Sequence, residues 1–213
     1  MTYQRVVSAL TIAGSDSGGG AGIQADLKTF AAHGVHGLSA IAALTAQNTR
    51  GVTAVHGPPL DFLKAQIDAC FSDFNIGAVK LGMLANAAVI HAVADALEHY
   101  RPAHVVLDPV MIATSGAKLL EDAALDALRA RLLPLATIIT PNLPEAELLC
   151  GHALGSTDDM HGAAKALRSQ MSQAGRLKGG HLPGTQDIVD VYCDASGTRE
   201  ILHPRLALEG HGT

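Results

Sequence analysis

Residues 14–26 read Gly14-Ser15-Asp16-Ser17-Gly18-Gly19-Gly20-Ala21-Gly22-Ile23-Gln24-Ala25-Asp26, and they join an apolar run at 6–13 to a helical run at 24–33. Five glycines in nine positions leave few side chains, so backbone amides of this turn can approach a ligand closely. A turn between a strand and a helix N-terminus favours an anion or a small polar molecule. The alternative is a tightly packed turn without a ligand, but the Asp26 carboxylate favours a binding site.

Short apolar runs alternate with longer amphipathic segments along the rest of the chain. Strands are predicted at 6–13, 37–44, 76–81, 104–107 and 137–140, and helices at 24–33, 61–74, 87–100, 123–132, 144–149 and 160–173. Residues 187–193 and 198–202 predict a late hairpin. This order predicts one α/β domain over residues 1–213, a three-layer α/β/α sandwich with a mostly parallel central sheet.

Composition narrows the class of protein. Hydrophobic residues make up 48% of the chain and charged residues 16%, and the formal net charge is −5. No cluster of Lys and Arg is present, and no apolar run is long enough to cross a bilayer, so neither nucleic acid nor a membrane is expected as a partner. Three widely spaced cysteines without metal-ligand spacing indicate reduced thiols and a cytoplasmic location.

Two nucleotide-binding patterns fit the glycine-rich turn poorly. A P-loop requires Lys-Ser or Lys-Thr directly after its last glycine, and here Lys28-Thr29 comes six residues after Gly22. Residues 20–25 match the dinucleotide pattern G-x-G-x-x-A, but no acidic residue occurs between Asp26 and Asp61 to hold a ribose. An NAD site is therefore only a minor alternative.

Three polar clusters follow predicted strands, where ligands of parallel sheets bind, and a fourth contains Lys178. Gln47 carries a donor and an acceptor that suit an aminopyrimidine or amide edge, although a polar loop tip is the simpler interpretation. Asp108 and Glu145 follow separate strands and suit a shared Mg²⁺ site. Residues 141–145 equally suit an ordinary helix start. Lys178, beside two glycines, can hold a phosphate.

Taken in order, these segments resemble the hydroxymethylpyrimidine/phosphomethylpyrimidine kinases of thiamine biosynthesis, members of the ribokinase-like superfamily. The resemblance runs from residue 9 to residue 213. Its carriers are Leu10-Thr11-Ile12-Ala13-Gly14-Ser15-Asp16, residues 19–29, Ala46-Gln47-Asn48-Thr49, Lys80-Leu81-Gly82-Met83-Leu84, Leu107-Asp108-Pro109-Val110-Met111, residues 139–145 and Lys178-Gly179-Gly180-His181. One segment alone is weak, whereas seven in order are specific.

The resemblance implies ATP- and Mg²⁺-dependent phosphorylation of 4-amino-5-hydroxymethyl-2-methylpyrimidine, and of its monophosphate, by a homodimer. It implies that Asp26 and Gln47 hold the polar edge of the pyrimidine. The remaining implied roles are a substrate pocket of Gly14, Ala21, Met83 and Val110, metal ligands Asp108 and Glu145, nucleotide contacts Asn142, Lys178 and Thr213, and catalytic groups Lys178, Gly212 and Thr213.

Two departures from the family pattern lead to further expectations. In the family, the His-Gly-Thr found here at 211–213 continues as Gly-Cys and then a helix, so we expect this domain to lack its C-terminal helices. Residues 173–177 are too short and too polar for the buried strand that the family has before Lys178, so no strand is predicted there.

Two alternatives to the implied function are a pyridoxal-type kinase and a truncated pyrimidine-binding relative that does not catalyse the transfer.

Overall fold

A computed structural model describes residues 6–111, 122–171, 173–182 and 187–205. The strands are β1 (Val7–Asp16), β2 (His36–Asn48), β3 (Gly51–His56), β4 (Asn75–Leu81), β5 (Val105–Leu107), β6 (Ile138–Ile139), β7 (Ala174–Leu177), β8 (Asp187–Asp194) and β9 (Gly197–Pro204). The helices are α1 (Gly22–Ala32), α2 (Leu60–Asp73), α3 (Ala87–Tyr100), α4 (Asp122–Ala127), α5 (Leu143–Cys150) and α6 (Thr157–Met171). A π-helical turn, Leu128–Leu132, continues α4.

All the strands form one nine-stranded sheet in the order β3-β2-β1-β4-β5-β6-β7-β8-β9. The six central strands, β2-β1-β4-β5-β6-β7, pair with one another in parallel. Strand β3 at one edge and strands β8 and β9 at the other are antiparallel to their neighbours. Because parallel neighbours need crossover helices, the central strands are covered by helices on both faces. This confirms the predicted mostly parallel α/β sandwich.

Side chains alternate between the two faces of the central strands. In β1, Leu10 and Ile12 are fully buried and belong to the main core with residues of α2 and α3. Thr11 lies on the opposite face, where its hydroxyl donates to Asp26 of α1. Helix α1 is thus on one face of β1, and α2 and α3 are on the other.

The prediction that no strand precedes Lys178 is wrong. Residues Ala174–Leu177 form β7, which pairs in parallel with β6 and antiparallel with β8. The small residues Ala174 and Gly175 and the side chain of Leu177 are buried. The polar Arg176 is accommodated because its guanidinium is bonded to Asp190 of β8, at 2.6 Å and 3.0 Å.

Strand β3 was not among the predicted strands. All six of its residues are exposed, so it lacks the buried face that produces an alternating hydrophobic pattern. It is held by antiparallel pairing with β2, from Leu44 opposite His56 to Asn48 opposite Gly51. It therefore extends the sheet beyond the edge that the hydrophobic pattern defines.

Candidate active site

The glycine-rich turn is closed around a carboxylate of the chain itself. Asp16, which is 2% exposed, ends β1. Its carboxylate accepts hydrogen bonds from the backbone N–H groups of Gly18, Gly20 and Ala21 at 2.7, 2.9 and 2.8 Å. Burial alone would raise the pKa of Asp16, but these N–H donors outweigh it and lower the pKa below its usual value. These three amides are therefore already occupied and do not face an external anion.

Gln47 is the next-to-last residue of β2 and lies beside the glycine-rich turn. Its backbone N–H donates to Ser17 Oγ at 2.8 Å, and its backbone carbonyl accepts from the same hydroxyl at 2.6 Å. The side-chain amide lies 3.1 Å from Thr45 Oγ1, and no hydrogen bond occupies its other end among the described residues. That free end suits a ligand.

The side chain of Asp26 on α1 is hydrogen-bonded to two residues of the sheet. Its Oδ2 accepts from Thr11 Oγ1 at 2.6 Å and from Lys80 Nζ at 3.0 Å. The side chains of Lys80 and Asp26 are 23% and 15% exposed, so the pair is partly screened by water. One carboxylate oxygen is therefore fixed by the protein, and the described residues give Oδ1 no hydrogen-bond partner.

The apolar residues predicted for the substrate pocket surround the same end of the sheet. A β-carbon at Gly14 would lie 2.7 Å from Met83 Cε, so these two residues are in direct contact. Ala21 is the N-cap of α1, and Val110 follows β5, where its N–H donates to the Asp108 carbonyl at 2.9 Å. The structure thus brings Gly14 and Met83 together and places Ala21 and Val110 in loops at the carboxyl ends of their strands.

A second polar group lies at the ends of β5, β6 and β7. Asp108 Oδ1 accepts from Lys178 Nζ at 2.8 Å and from Thr140 Oγ1 at 3.1 Å. The side chains of Lys178 and Asp108 are 40% and 26% exposed, so both can reach a ligand. When a ligand binds, the ammonium of such a pair can contact a phosphate and the carboxylate can contact a cation.

Glu145 and Asn142 form the capping box of α5. The Asn142 side chain accepts from the Glu145 N–H at 3.0 Å, while Glu145 Oε2 accepts from the Asn142 N–H at 2.8 Å. Glu145 Oε1 lies 3.3 Å from the N–H of Met111, and the residue is 2% exposed. Burial raises the pKa of Glu145 despite these N–H donors and the nearby Lys178 ammonium.

The turn that carries Lys178 is anchored by an aspartate on β8. Asp190 Oδ1 accepts from the Gly179 N–H at 2.9 Å, and its Oδ2 is bonded to Arg176. A β-carbon at Gly179 would overlap the carbonyl oxygen of Val189, so only glycine fits here. Asp190 was not singled out in the sequence, and its only signal there is a carboxylate within an apolar strand.

The predicted site residues fall into two groups along one edge of the sheet. Gly14, Ala21, Asp26 and Gln47 lie around β1 and β2, and Met83 follows the adjacent strand β4. Around β5 to β7 lie Asp108, Val110, Asn142, Glu145 and Lys178. Gly212 and Thr213 lie outside the described residues. The reasoning from sequence missed Asp16, Lys80 and Thr140 as supporting residues, although all three stand inside the quoted motifs.

Two kinds of feature are absent from the described residues. Within residues 6–111, 122–171, 173–182 and 187–205, no group of three or more His, Cys, Asp or Glu side chains is arranged to hold a metal ion. In the same part of the chain, no helix has the length and apolar character that crossing a membrane requires.

Comparison with known proteins finds matches over most of the chain. The family model described as phosphomethylpyrimidine kinase matches residues 16–213. A hydroxymethylpyrimidine/phosphomethylpyrimidine kinase of Haemophilus influenzae is 54% identical over 181 residues, which cover 85% of this chain and 67% of that protein. A thiamine biosynthesis bifunctional protein of Geobacter sulfurreducens is 49% identical over 97% of this chain, which spans only 42% of that protein's length.

Solved structures extend the likeness to the fold. The crystal structure of a phosphomethylpyrimidine kinase from Clostridium difficile 630 has a TM-score of 0.86 and 45% identity, covering 91% of this chain and 83% of that one. An ADP complex of Bacillus subtilis pyridoxal kinase has a TM-score of 0.87 and 36% identity, covering 95% and 77%. The chain therefore belongs to the phosphomethylpyrimidine kinase family and has the ribokinase-like fold of its members.

Proposed function

We propose that the protein transfers the γ-phosphoryl group of ATP to the hydroxymethyl oxygen of 4-amino-5-hydroxymethyl-2-methylpyrimidine, and then phosphorylates the monophosphate. The bond between the γ-phosphorus and its bridging oxygen breaks and ADP leaves. A new phosphorus–oxygen bond forms on the hydroxymethyl oxygen, whose proton is released to solvent. Phosphoryl transfer depends mainly on positioning and on neutralising charge.

The separation of the site into two chemically different halves carries this proposal. The half around β1 and β2 offers an amide, one free carboxylate oxygen and the small apolar contacts of Gly14 and Met83. Such groups suit a methylated ring with polar edges, and Ala21 and Val110 would complete the pocket. The half around β5 to β7 offers the Lys178 ammonium and two carboxylates, which suit phosphates and a cation.

Mg²⁺ fits the donor set of the second half. Magnesium is usually held by one or two carboxylates together with substrate phosphates and water, and Asp108 and Glu145 supply two carboxylates. Bound there, the ion would neutralise negative charge on the phosphates. Asn142 and Lys178 would contact the nucleotide, Lys178 would steady the transferring group, and the roles of Gly212 and Thr213 remain those that the family pattern predicts.

A direct assay tests this proposal. The purified chain is incubated with Mg-ATP and the hydroxymethylpyrimidine, and the products are identified by mass spectrometry. Parallel reactions use the monophosphate as the substrate or contain EDTA. We expect both phosphorylations with Mg²⁺ and none with EDTA. Asp108→Asn should abolish turnover, whereas Asp95→Asn, an exposed aspartate on α3, should leave turnover unchanged. Equal activity of the two variants would contradict the assignment.

Pyridoxal is the second candidate substrate, favoured by the likeness to Bacillus subtilis pyridoxal kinase. Both molecules are aromatic rings that bear a hydroxymethyl group, and Gln47 and Met83 within their motifs favour the pyrimidine. Phosphorylation of pyridoxal alone would overturn our choice. Tight pyrimidine binding without turnover would instead support a relative that binds the pyrimidine and does not phosphorylate it.

A homodimer is part of the proposal. Among the residues that the structure describes, five of the nine exposed large hydrophobic side chains belong to β2, β3 and the start of α2: Leu44, Val52, Val55, Leu60 and Phe62. We call this set the β3 edge. An exposed strand edge with apolar side chains is a surface that a second copy can cover.

A further inference from the structure

The hydroxyl group of Thr45 contacts two oxygen positions and has one hydrogen to donate. Thr45 Oγ1 lies 2.8 Å from the carbonyl oxygen of Ser15 and 3.1 Å from the Oε1 position of the Gln47 side chain. A backbone carbonyl oxygen can only accept, so the hydroxyl hydrogen belongs to the shorter contact with Ser15. At its other contact, Thr45 can then only accept a hydrogen bond.

This constraint decides which way the Gln47 amide faces. The oxygen and nitrogen of a glutamine amide exchange places by a half turn, and the hydrogen-bond network around them determines the orientation. With an acceptor at Thr45, the stable arrangement turns Nε2 towards Thr45 and Oε1 to the end that no described protein group occupies. The opposite orientation would leave two acceptors 3.1 Å apart without a shared hydrogen.

The orientation defines the pattern that a ligand edge must match. Gln47 then offers an accepting oxygen and one remaining N–H of Nε2, side by side. A 4-aminopyrimidine presents the complementary pair, an amino donor next to a ring-nitrogen acceptor, whereas a 4-oxopyrimidine presents an oxygen acceptor next to a ring N–H donor. The oxo compound fits only if the amide turns over and gives up its bond to Thr45.

We infer that Thr45 is a specificity-determining residue, which holds the Gln47 amide with Nε2 towards its own hydroxyl and so selects 4-aminopyrimidines over 4-oxopyrimidines. The inference rests on the proposed function, because it takes the ligand beside Gln47 to be a pyrimidine. Thr45 acts through Gln47 and is a positioning residue.

Calorimetric titration tests the inference by binding, independently of turnover. The dissociation constants of 4-amino-5-hydroxymethyl-2-methylpyrimidine and of its 4-oxo counterpart are measured for the wild type, Thr45→Val and Thr45→Ser. Valine keeps the shape of the side chain and removes the acceptor, so we expect the preference for the amino compound to fall about ten-fold, which corresponds to about 1.4 kcal/mol. Serine keeps the hydroxyl and should keep the wild-type preference.

The chain offers a matched control on the neighbouring strand. Thr53 of β3 donates its hydroxyl to the Ala46 carbonyl at 3.0 Å, so Thr53→Val removes one hydroxyl–carbonyl bond without touching Gln47. It should leave the preference unchanged. An unchanged preference in Thr45→Val, an equal change in Thr53→Val, or a wild type that binds neither compound would each overturn the inference. A shifted preference in a protein that does not phosphorylate the amino compound would overturn the proposed function alone.

A second measurement needs no variant and covers the case in which Thr45→Val does not fold. Nuclear Overhauser contacts between the Gln47 side-chain NH₂ hydrogens and the Thr45 methyl group report the amide orientation in the wild type. A contact from one NH₂ hydrogen to that methyl group is expected. Its absence in a spectrum that shows the contacts of Gln47 with β3 would overturn the inference.

Discussion

The Asp16 carboxylate occupies the position in the glycine-rich turn where a phosphate-binding loop would hold its phosphate. Three backbone N–H groups converge on it, from Gly18, Gly20 and Ala21. In the proposed function, this turn would form a wall of the substrate pocket, and the groups around Lys178 would bind the phosphates. A glycine-rich sequence alone does not distinguish these two uses.

Replacing Asp16 tests this interpretation. Asp16→Asn removes one accepting oxygen, so we expect the free energy of unfolding to fall by about 1–3 kcal/mol at neutral pH. Because the folded pKa of Asp16 is lowered from 3.8, its contribution is present above that pH and is lost as the pH falls below it. Urea unfolding at neutral and acidic pH should show the two proteins converging in acid. A constant difference at every pH would contradict the role of the charge.

The pair formed by Lys80 and Asp26 leads to a second prediction. Lys80→Met leaves Asp26 with Thr11 as its one described partner, so we expect the affinity for the pyrimidine to fall about ten-fold, or about 1.4 kcal/mol. The pair is partly exposed, so stability should change by less than about 1 kcal/mol. Titration calorimetry and thermal unfolding measure the two effects. Lys64→Met, on an exposed position of α2, is the control, and equal losses in both variants would refute the prediction.

At the scale of single elements, helix α5 combines a structural and a proposed catalytic role in one residue. Glu145 closes the capping box and is also a proposed metal ligand. Glutamine is equally accepted at this capping position but is a poorer ligand for Mg²⁺. Glu145→Gln therefore separates the two roles.

We expect Glu145→Gln to fold and to lose Mg²⁺-dependent turnover. Its free energy of unfolding should lie about 1–3 kcal/mol below that of the wild type, because one of the two backbone N–H groups, of Asn142 or of Met111, loses its acceptor. Burial raises the folded pKa of Glu145 above 4.5, so the wild type loses stability relative to the variant as the pH rises from 4.5 towards neutrality. Chemical unfolding across this range checks the sign. A variant that keeps full activity would remove Glu145 from the metal site.

The turn after β7 gives a prediction with a neighbouring control. Gly179→Ala would drive a β-carbon into the Val189 carbonyl, so the turn and Lys178 must shift, and we expect a stability loss of about 1–3 kcal/mol with reduced turnover. A β-carbon at Gly180 meets nothing within 4 Å, so Gly180→Ala should resemble the wild type. Thermal unfolding and kcat, measured on both variants, test this prediction. A tolerated Gly179→Ala would contradict the close approach.

Elements with a clear hydrophobic period were predictable from the sequence, whereas β3 and β7 were not. Helix α3 was predicted with its observed bounds because its buried residues, from Val89 to Leu97, recur at helical spacing. Strand β3 has no buried residue, and β7 is four residues long with an arginine, so neither carries a periodic hydrophobic signal. The polar residues that support the site were equally hidden, because Lys80 and Asp26 are 54 positions apart in sequence.

At the scale of the whole molecule, the β3 edge determines how two copies would meet. Val52 and Val55 are 51% and 59% exposed, and the strand has an unpaired side. We expect Val52→Glu combined with Val55→Glu to convert a dimer to a monomer, because like charges would face one another across the contact. Sedimentation velocity measures the change. Leu202→Glu, at an exposed position of β9 on the opposite edge, is the control. A wild type that sediments as a monomer would refute the dimer.

The strand order also determines the distance that an inhibitor of both halves of the proposed site must span. Gln47 and Lys178 belong to the ends of strands that are five positions apart in the sheet, which at about 4.8 Å per strand separates them by about 24 Å before their side chains turn inwards. A bisubstrate compound, with an aminopyrimidine tethered to the terminal phosphate of a nucleotide, would engage both halves at once. Its tether length should have a sharp optimum, since effective concentration vanishes for a tether too short to span the sites and declines for one too long.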